Sequence, residues 1–211
     1  MGQYYRVLMK KDGNVVVNDR KIVDQDYMVA KLTEHSYLGN SLMMAVAMKL
    51  ECGPMRLAWV GDYAKECGED DVKKVTKGEV EFEQVWGDAT ENGKDKQLPL
   101  SHAFPLVTSF GYSGKFFVNH TKMEYVSFDD YIKRSMPESV DSAREPPQKC
   151  VGWCISPVSI LTAVGNDRGG GDYRDDHPCF DMVGRWAWDE LEIVPKRPSL
   201  QYKKLDVFFK E

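Results

Sequence analysis

The sequence predicts an α+β fold: a mostly antiparallel sheet with few helices, in a single domain. Three observations predict it. Short runs of aromatic and β-branched residues recur from end to end, while only two segments read as convincing helices. Two pairs of those runs are joined by hairpin-type turns, Asp12-Gly13 near the start and Asn119-His120-Thr121-Lys122 in the middle. The chain has 211 residues and is 42% hydrophobic, the length and apolar content of one domain with its own core.

Taken in order, Gln3 to Met9 and Asn14 to Asn18 are the strands of the first hairpin. Leu42 to Glu51 is a helix, capped by Asn40 or Ser41 and stopped by Gly53-Pro54. Its apolar residues cover nearly every side, which assigns it to the interior with Met44, Val46 and Met48 in the core. Arg56 to Val60 is a strand ending in Gly61-Asp62-Tyr63, so Asp62 stands just past a strand end. Tyr63 to Val75 reads as a short charged helix broken at Gly68, and Val80 to Val85 as a half-exposed strand. Leu98 to Phe110 reads as extended chain, interrupted by Pro99 and Pro105. Lys115 to Val118 and Met123 to Val126 flank the second hairpin turn. Ser127 caps a helix from Phe128, with Asp129 and Asp130 favourably placed at its positive end. Met136-Pro137 ends that helix, and residues 137–149, with their prolines, read as an internal linker. Ile155 to Val164 reads as a buried strand, Arg185 to Val194 as a strand with Trp186 and Trp188 on one face, and Tyr202 to Phe209 as the last strand.

A net charge of −5 argues against a general nucleic-acid binder. No apolar run approaches the length that spans a bilayer, and Met1 to Lys10 lacks the apolar core of a signal peptide. Five cysteines at irregular spacings, without an export signal, point to a reduced cytoplasmic protein with free thiols. The sequence names no cofactor and no metal site. Cys150, Cys154, His177 and Cys179 are poorly spaced for zinc, because His177-Pro178-Cys179 is too tight for two ligands. Asp172, Asp175, Asp176, His177 and Asp181 fit no calcium-loop or hydrolase spacing and read as a solvated acidic segment.

Several phrases carry a resemblance: Met1-Gly2-Gln3-Tyr4-Tyr5, Glu34-His35-Ser36-Tyr37-Leu38-Gly39-Asn40, Trp59-Val60-Gly61-Asp62-Tyr63-Ala64, Asn119-His120-Thr121-Lys122, Gly165 to Tyr173, and Val183-Gly184-Arg185-Trp186-Ala187. Together they resemble a family of small uncharacterised bacterial proteins, in order and over nearly the whole chain. The resemblance implies one coherent domain and transfers no catalytic residue.

The chemistry centres on Gly165-Asn166-Asp167-Arg168-Gly169-Gly170-Gly171-Asp172-Tyr173. Three consecutive glycines serve a tight turn or a close approach of backbone to ligand. Their spacing fits neither the dinucleotide fingerprint nor the P-loop. Successive backbone N–H groups in a turn still form an anion nest, and Arg168 adds a planar fork of donors. The first expectation is therefore a small anionic or nucleotide-like ligand held by Asn166, Asp167, Arg168, Gly169, Gly170, Gly171, Asp172 and Tyr173. The second is a hydrolase or transferase using His35 with Asp62 or Asp172, His120 being the other candidate base. The third is a protein–protein interaction module with no small ligand.

Overall fold

Residues 5–11, 14–17, 36–61, 111–135, 154–165 and 178–209 are described in a computed structural model of the chain. Strand β1 (Tyr5–Lys11) pairs antiparallel with β2 (Asn14–Val17). The register Lys11↔Asn14 leaves Asp12 and Gly13 as the connection, as the turn signal predicts. Strand β3 (Met55–Gly61) lies along the other edge of β1, from Tyr5↔Gly61 to Lys10↔Arg56. Every β3 residue but Arg56 is buried. That burial on both faces explains why the strand reads as a nearly unbroken apolar run.

The far edge of β3 is divided between two partners. Its first residues, Met55 and Arg56, pair antiparallel with β7 (Glu190–Val194). Further along, Trp59 and Val60 pair in parallel with β6 (Ala163–Val164). Beyond β7 the sheet continues through β4 (Phe116–Asn119), β5 (Glu124–Ser127) and β8 (Lys203–Lys204), giving the order β2-β1-β3-β7-β4-β5-β8. The pairing of β5 with β8 is also parallel. The sheet is thus mixed, which corrects the expectation of a mostly antiparallel one. Hairpin signals constrain only strands that follow one another in sequence. Strands β6 and β8 are two residues each and reach the sheet by other routes.

Three helices frame this sheet among the described residues. Helix α1 (Ser41–Glu51) rests against β7 and against α3 (Pro157–Leu161). Met43, Val46, Ala47 and Leu50 are buried, the i, i+3, i+4, i+7 stripe of a helix against a core. Met44 and Met48 are half-buried at the margin of that core, so only Val46 of the three expected core residues is fully enclosed. Helix α2 (Phe128–Ser135) follows β5 directly, with Asp129 and Asp130 in its first turn and Lys133 and Arg134 in its last. The Ser127 hydroxyl accepts from the Asp130 N–H at 3.4 Å, the predicted cap. Phe128 and Tyr131 are buried, and the Tyr131 hydroxyl donates to the Ile155 carbonyl at 2.7 Å.

Three strand expectations are corrected in part. Ile155 to Val164 is not one strand. Ile155 makes a single bridge to Tyr37, Ser156 caps α3 by accepting from the Val158 N–H, and only Ala163 and Val164 enter the sheet. Ser156-Pro157 is a helix start: a capping hydroxyl followed by a residue whose missing N–H costs nothing at the first helical position. In Arg185 to Val194 only Glu190 to Val194 is strand, and the two indoles do not share a strand face. Trp188 adopts φ 62, a left-handed conformation that takes it out of any ladder. Of Tyr202 to Phe209 only Lys203 and Lys204 pair, although Leu205, Val207 and Phe209 stay buried and Asp206 exposed, the alternation that suggested a strand.

The core is continuous. Trp59 and Trp186 are its largest fully buried side chains, and Trp186 meets Phe117 edge-on at 5.0 Å between ring centroids. Residues 137–149, the predicted linker, lie outside the described residues, as do the helix and strand expected within 63–85.

Candidate functional site

The glycine-loop reading meets the described structure at two strand ends. Asn166, Asp167, Arg168, Gly169, Gly170, Gly171, Asp172, Tyr173, His35 and Asp62 lie outside the described residues. Their neighbours Gly61, Val164, Gly165 and Ser36 lie within them. Strands β3 and β6 are parallel with Trp59 opposite Ala163 and Val60 opposite Val164. The chain therefore leaves β3 toward Asp62 and leaves β6 toward Asn166 at the same end of the sheet, on strands about 4.8 Å apart. Ser36 is buried and its carbonyl accepts from the Ser156 N–H at 2.6 Å, at the foot of α3.

Two buried donors lie on or beside β3. The indole N–H groups of Trp59 and Trp188 are enclosed and have no hydrogen-bond acceptor among the described residues. An unsatisfied buried donor costs about 1–3 kcal/mol, so two of them in one region are unusual in a close-packed interior. Trp188 also carries the strain of its positive φ while its own N–H donates to the Leu57 carbonyl at 2.7 Å.

The second cluster is built around the β4–β5 turn. Asn119, the last residue of β4, is fully buried. Its amide Nδ2 donates to Asp189 at 2.7 Å and its Oδ1 accepts from the Lys122 N–H at 2.8 Å. Lys122 closes the ring with an ion pair to the same Asp189 carboxylate. Thr121 Oγ1 accepts from the Glu190 N–H at 2.9 Å, and the His120 N–H donates to the Glu190 carbonyl at 2.8 Å. Asn119 is thus a strut that fixes the turn to the start of β7, not a group facing a ligand.

His120 has both ring nitrogens occupied. Nε2 lies 2.9 Å from Glu192 Oε2 and Nδ1 lies 2.9 Å from the Tyr202 hydroxyl. His120 therefore stands between Glu192 and Tyr202 rather than alone. Sequence reading named His120 but missed Glu192 and Tyr202. The signal for Glu192 is its alternation with Leu191 and Ile193 in β7, which places it on the opposite face. Nothing local announces Tyr202, because the contact depends on how the chain returns before β8.

Beside this turn, Glu124 is nearly buried and receives Arg185 through both oxygens, at 2.6 and 3.2 Å, and Trp186 Nε1 at 2.9 Å. Burial alone would push the Glu124 carboxyl up. Hydrogen bonds from Arg185 and Trp186, with the Arg185 and Lys122 charges, outweigh it and hold the carboxyl below its usual range. The hydrogen bond to Glu124 correspondingly raises Arg185.

The β4–β5 turn and the ends of β3 and β6 lie at different levels of the sheet. Asn119 pairs with Leu191, and Leu191 pairs with Met55, so the β4–β5 turn springs from the level of the first residue of β3. The strand ends of the glycine loop lie at the last residue of β3, about 20 Å further along at ~3.3 Å per residue.

Among the described residues, no group of three or more His, Cys, Asp or Glu side chains is arranged to hold a metal ion. Cys154 and Cys179 are buried thiols and Cys52 is an exposed one, its Sγ within 3.4 Å of the Met48 carbonyl; Cys67 and Cys150 lie outside the described residues. No helix among the described residues is long and apolar enough to cross a membrane. Compared with protein-family models, with curated proteins and with solved structures, the chain finds no match in any of the three.

Proposed function

We propose that the protein binds a small anionic or nucleotide-like ligand where the chain leaves β3 and β6. The observation that carries this reading is the parallel register of those strands, Trp59↔Ala163 and Val60↔Val164. It starts the Asp62 segment and the glycine-rich segment from adjacent, rigidly held strand ends, where loops commonly carry binding groups. In this reading the backbone N–H groups of Gly169, Gly170 and Gly171 cradle the anion and Arg168 adds a bidentate contact. Asp62, Asn166, Asp172 and His35 orient polar groups, and Tyr173 stacks on a ring.

Calorimetric titration with inorganic phosphate, pyrophosphate and an adenine nucleotide tests it. Saturable binding is expected in the parent. Arg168→Ala should keep the parent melting temperature and lose binding, because the fork of donors is gone. An Arg168→Ala protein that unfolds would make Arg168 a structural ion-pair member and remove the basis for the site. Absence of binding to all three probes in the folded parent would also end this reading.

A further inference from the structure

We propose that Tyr202, His120 and Glu192 form a relay-activated hydroxyl site whose substrate is a phosphate ester. This site lies at the β4–β5 turn, at the level of the first residue of β3.

The argument begins with the tautomer. Glu192 Oε2 lies 2.9 Å from His120 Nε2, and an ionised carboxylate can only accept. The proton of the neutral ring therefore sits on Nε2. Nδ1 is left as the acceptor, and the Tyr202 O–H donates to it at 2.9 Å. The order is carboxylate, imidazole, hydroxyl, the arrangement that activates a hydroxyl nucleophile by taking its proton into an oriented ring. Three separate elements supply it: β7 brings Glu192, the β4–β5 turn brings His120, and the segment before β8 brings Tyr202. His120 is further fixed by its backbone bond to Glu190 and by the Tyr202 ring standing perpendicular to its own at 5.9 Å.

The site is partly open to solvent. The His120 and Glu192 side chains are 27% and 22% exposed, and Tyr202 is half-buried. With both imidazole nitrogens engaged, the Tyr202 hydroxyl oxygen retains lone pairs for a new bond. The charge around it selects the substrate. Lys196, Arg197, Lys203 and Lys204 fall within residues 195–204, a stretch without an acidic residue in a chain of net charge −5. Lys204 pairs with Asp130 and Arg197 lies over the Tyr125 ring. Lys196 and Lys203 are exposed and make no ion pair among the described residues. Basic residues on both sides of Tyr202 in the chain favour an anionic electrophile, and a phosphate ester offers phosphorus to the oxygen and charge to the lysines.

The step balances within these groups. Tyr202 Oη bonds to phosphorus as the P–O bond to the leaving alcohol breaks, its electron pair departing with the leaving oxygen. The phenolic proton passes to His120 Nδ1, Glu192 stabilises the imidazolium, and the proton then goes to the leaving oxygen.

The test uses bis(p-nitrophenyl) phosphate as probe on the intact protein. A burst of p-nitrophenolate is expected, with one phosphoryl adduct mapped to Tyr202 by mass spectrometry. Tyr202→Phe should remove the adduct, and His120→Gln should slow it about 100-fold, the scale of general-base assistance. A tyrosine that merely clasps the C-terminal segment would form no such adduct. No adduct at Tyr202, an equal rate in His120→Gln, or labelling spread over the other tyrosines would overturn the proposal. Faster reaction with neutral p-nitrophenyl acetate would overturn the choice of substrate. Adduct mapping in the parent decides the matter even where a variant fails to fold.

Discussion

Replacing Gly184 with alanine tests the junction on which the sheet turns. Gly184 has φ 75, and an ideal Cβ built on it would lie 2.4 Å from the Ala163 carbonyl oxygen. Real Cβ atoms essentially never approach within 3.0 Å, so the backbone must yield by more than half an ångström. What must yield is β6 itself, whose neighbours Ile160 and Leu161 accept the N–H groups of Gly184 and Trp186 at 2.8 and 2.7 Å. The left-handed conformation costs alanine about 1–2 kcal/mol. Weakening two buried hydrogen bonds adds about 1 kcal/mol each. A loss of about 3–4 kcal/mol is expected from these terms together. Two other glycines separate the causes. Gly114 has φ 71 but nothing within 4 Å of its Cβ position, so Gly114→Ala should lose only the conformational part. Gly111 has neither the positive φ nor a neighbour, so Gly111→Ala should be neutral or stabilising by under about 1 kcal/mol. Urea denaturation of the three variants reads the order directly. Equal losses at Gly184 and Gly114 would show that β6 gives way freely and that the close approach carries no energy.

Three further outcomes are expected. Val46→Asp places a charge at a fully buried position of α1 and should cost several kcal/mol, roughly 3–5, in the same denaturation assay; a parent-like midpoint would remove this helix from the core. Asn119→Ala strips the partner from the Lys122 N–H and one of two from Asp189, and should cost about 1–3 kcal/mol while leaving the Trp186 fluorescence of the folded state unchanged. Glu124 is held below its usual range in the fold, so it binds its proton more readily when unfolded. Its stabilising contribution is complete above the unfolded value of about 4.3 and is lost as pH falls toward the folded one. Glu124→Gln should flatten that acid limb of a stability-against-pH curve, and an unchanged limb would show that the Arg185 pair contributes nothing to it.

The elements that the sequence reveals are those whose causes are local. Asp12-Gly13, the β4–β5 hairpin and the Ser127 cap each rest on residues a few positions apart, and each is found where it is expected. Helix α1 is recognised by its composition, but its buried stripe is narrower than the apolar content suggests, because Met44 and Met48 are long enough to reach the core from its margin. The failures share one physical origin. An apolar run of ten residues fits a buried strand or a buried helix equally well, and in Ile155 to Val164 the Ser156-Pro157 start decides for helix. Trp186-Ala187-Trp188 alternates like a strand, yet Trp188 sits in the left-handed region with its N–H bonded to Leu57, a partner on β3 that no local pattern of the chain announces. Glu192 and Tyr202 reach His120 only through the register of β7 and the return before β8, which no window of sequence contains.

The divided edge of β3 gives these observations a common geometry. One strand cannot pair with β7 and β6 at the same level, so the chain between them must leave the ladder. Residues 183–189 do so through Gly184 and Trp188, both at positive φ, while their N–H groups bond in turn to Ile160, Leu161 and Leu57. The cost falls on Trp188, which holds a left-handed conformation and an unsatisfied indole donor. The return is that β7 lies low on β3 and carries Glu190 and Glu192 to the β4–β5 turn, while β6 lies high and directs Gly165 toward the end where Gly61 emerges. A single strand thus sets the β4–β5 turn and the ends of β3 and β6 about 20 Å apart along its length at ~3.3 Å per residue. Substitutions that far apart with no shared partner act additively, within about 0.5 kcal/mol. Tyr202→Phe should therefore leave phosphate binding through Arg168 untouched, and Arg168→Ala should leave the Tyr202 adduct untouched. Coupling between the two would mean that the edge of β3 moves as a unit, with Trp188 as the strained residue that its movement relieves.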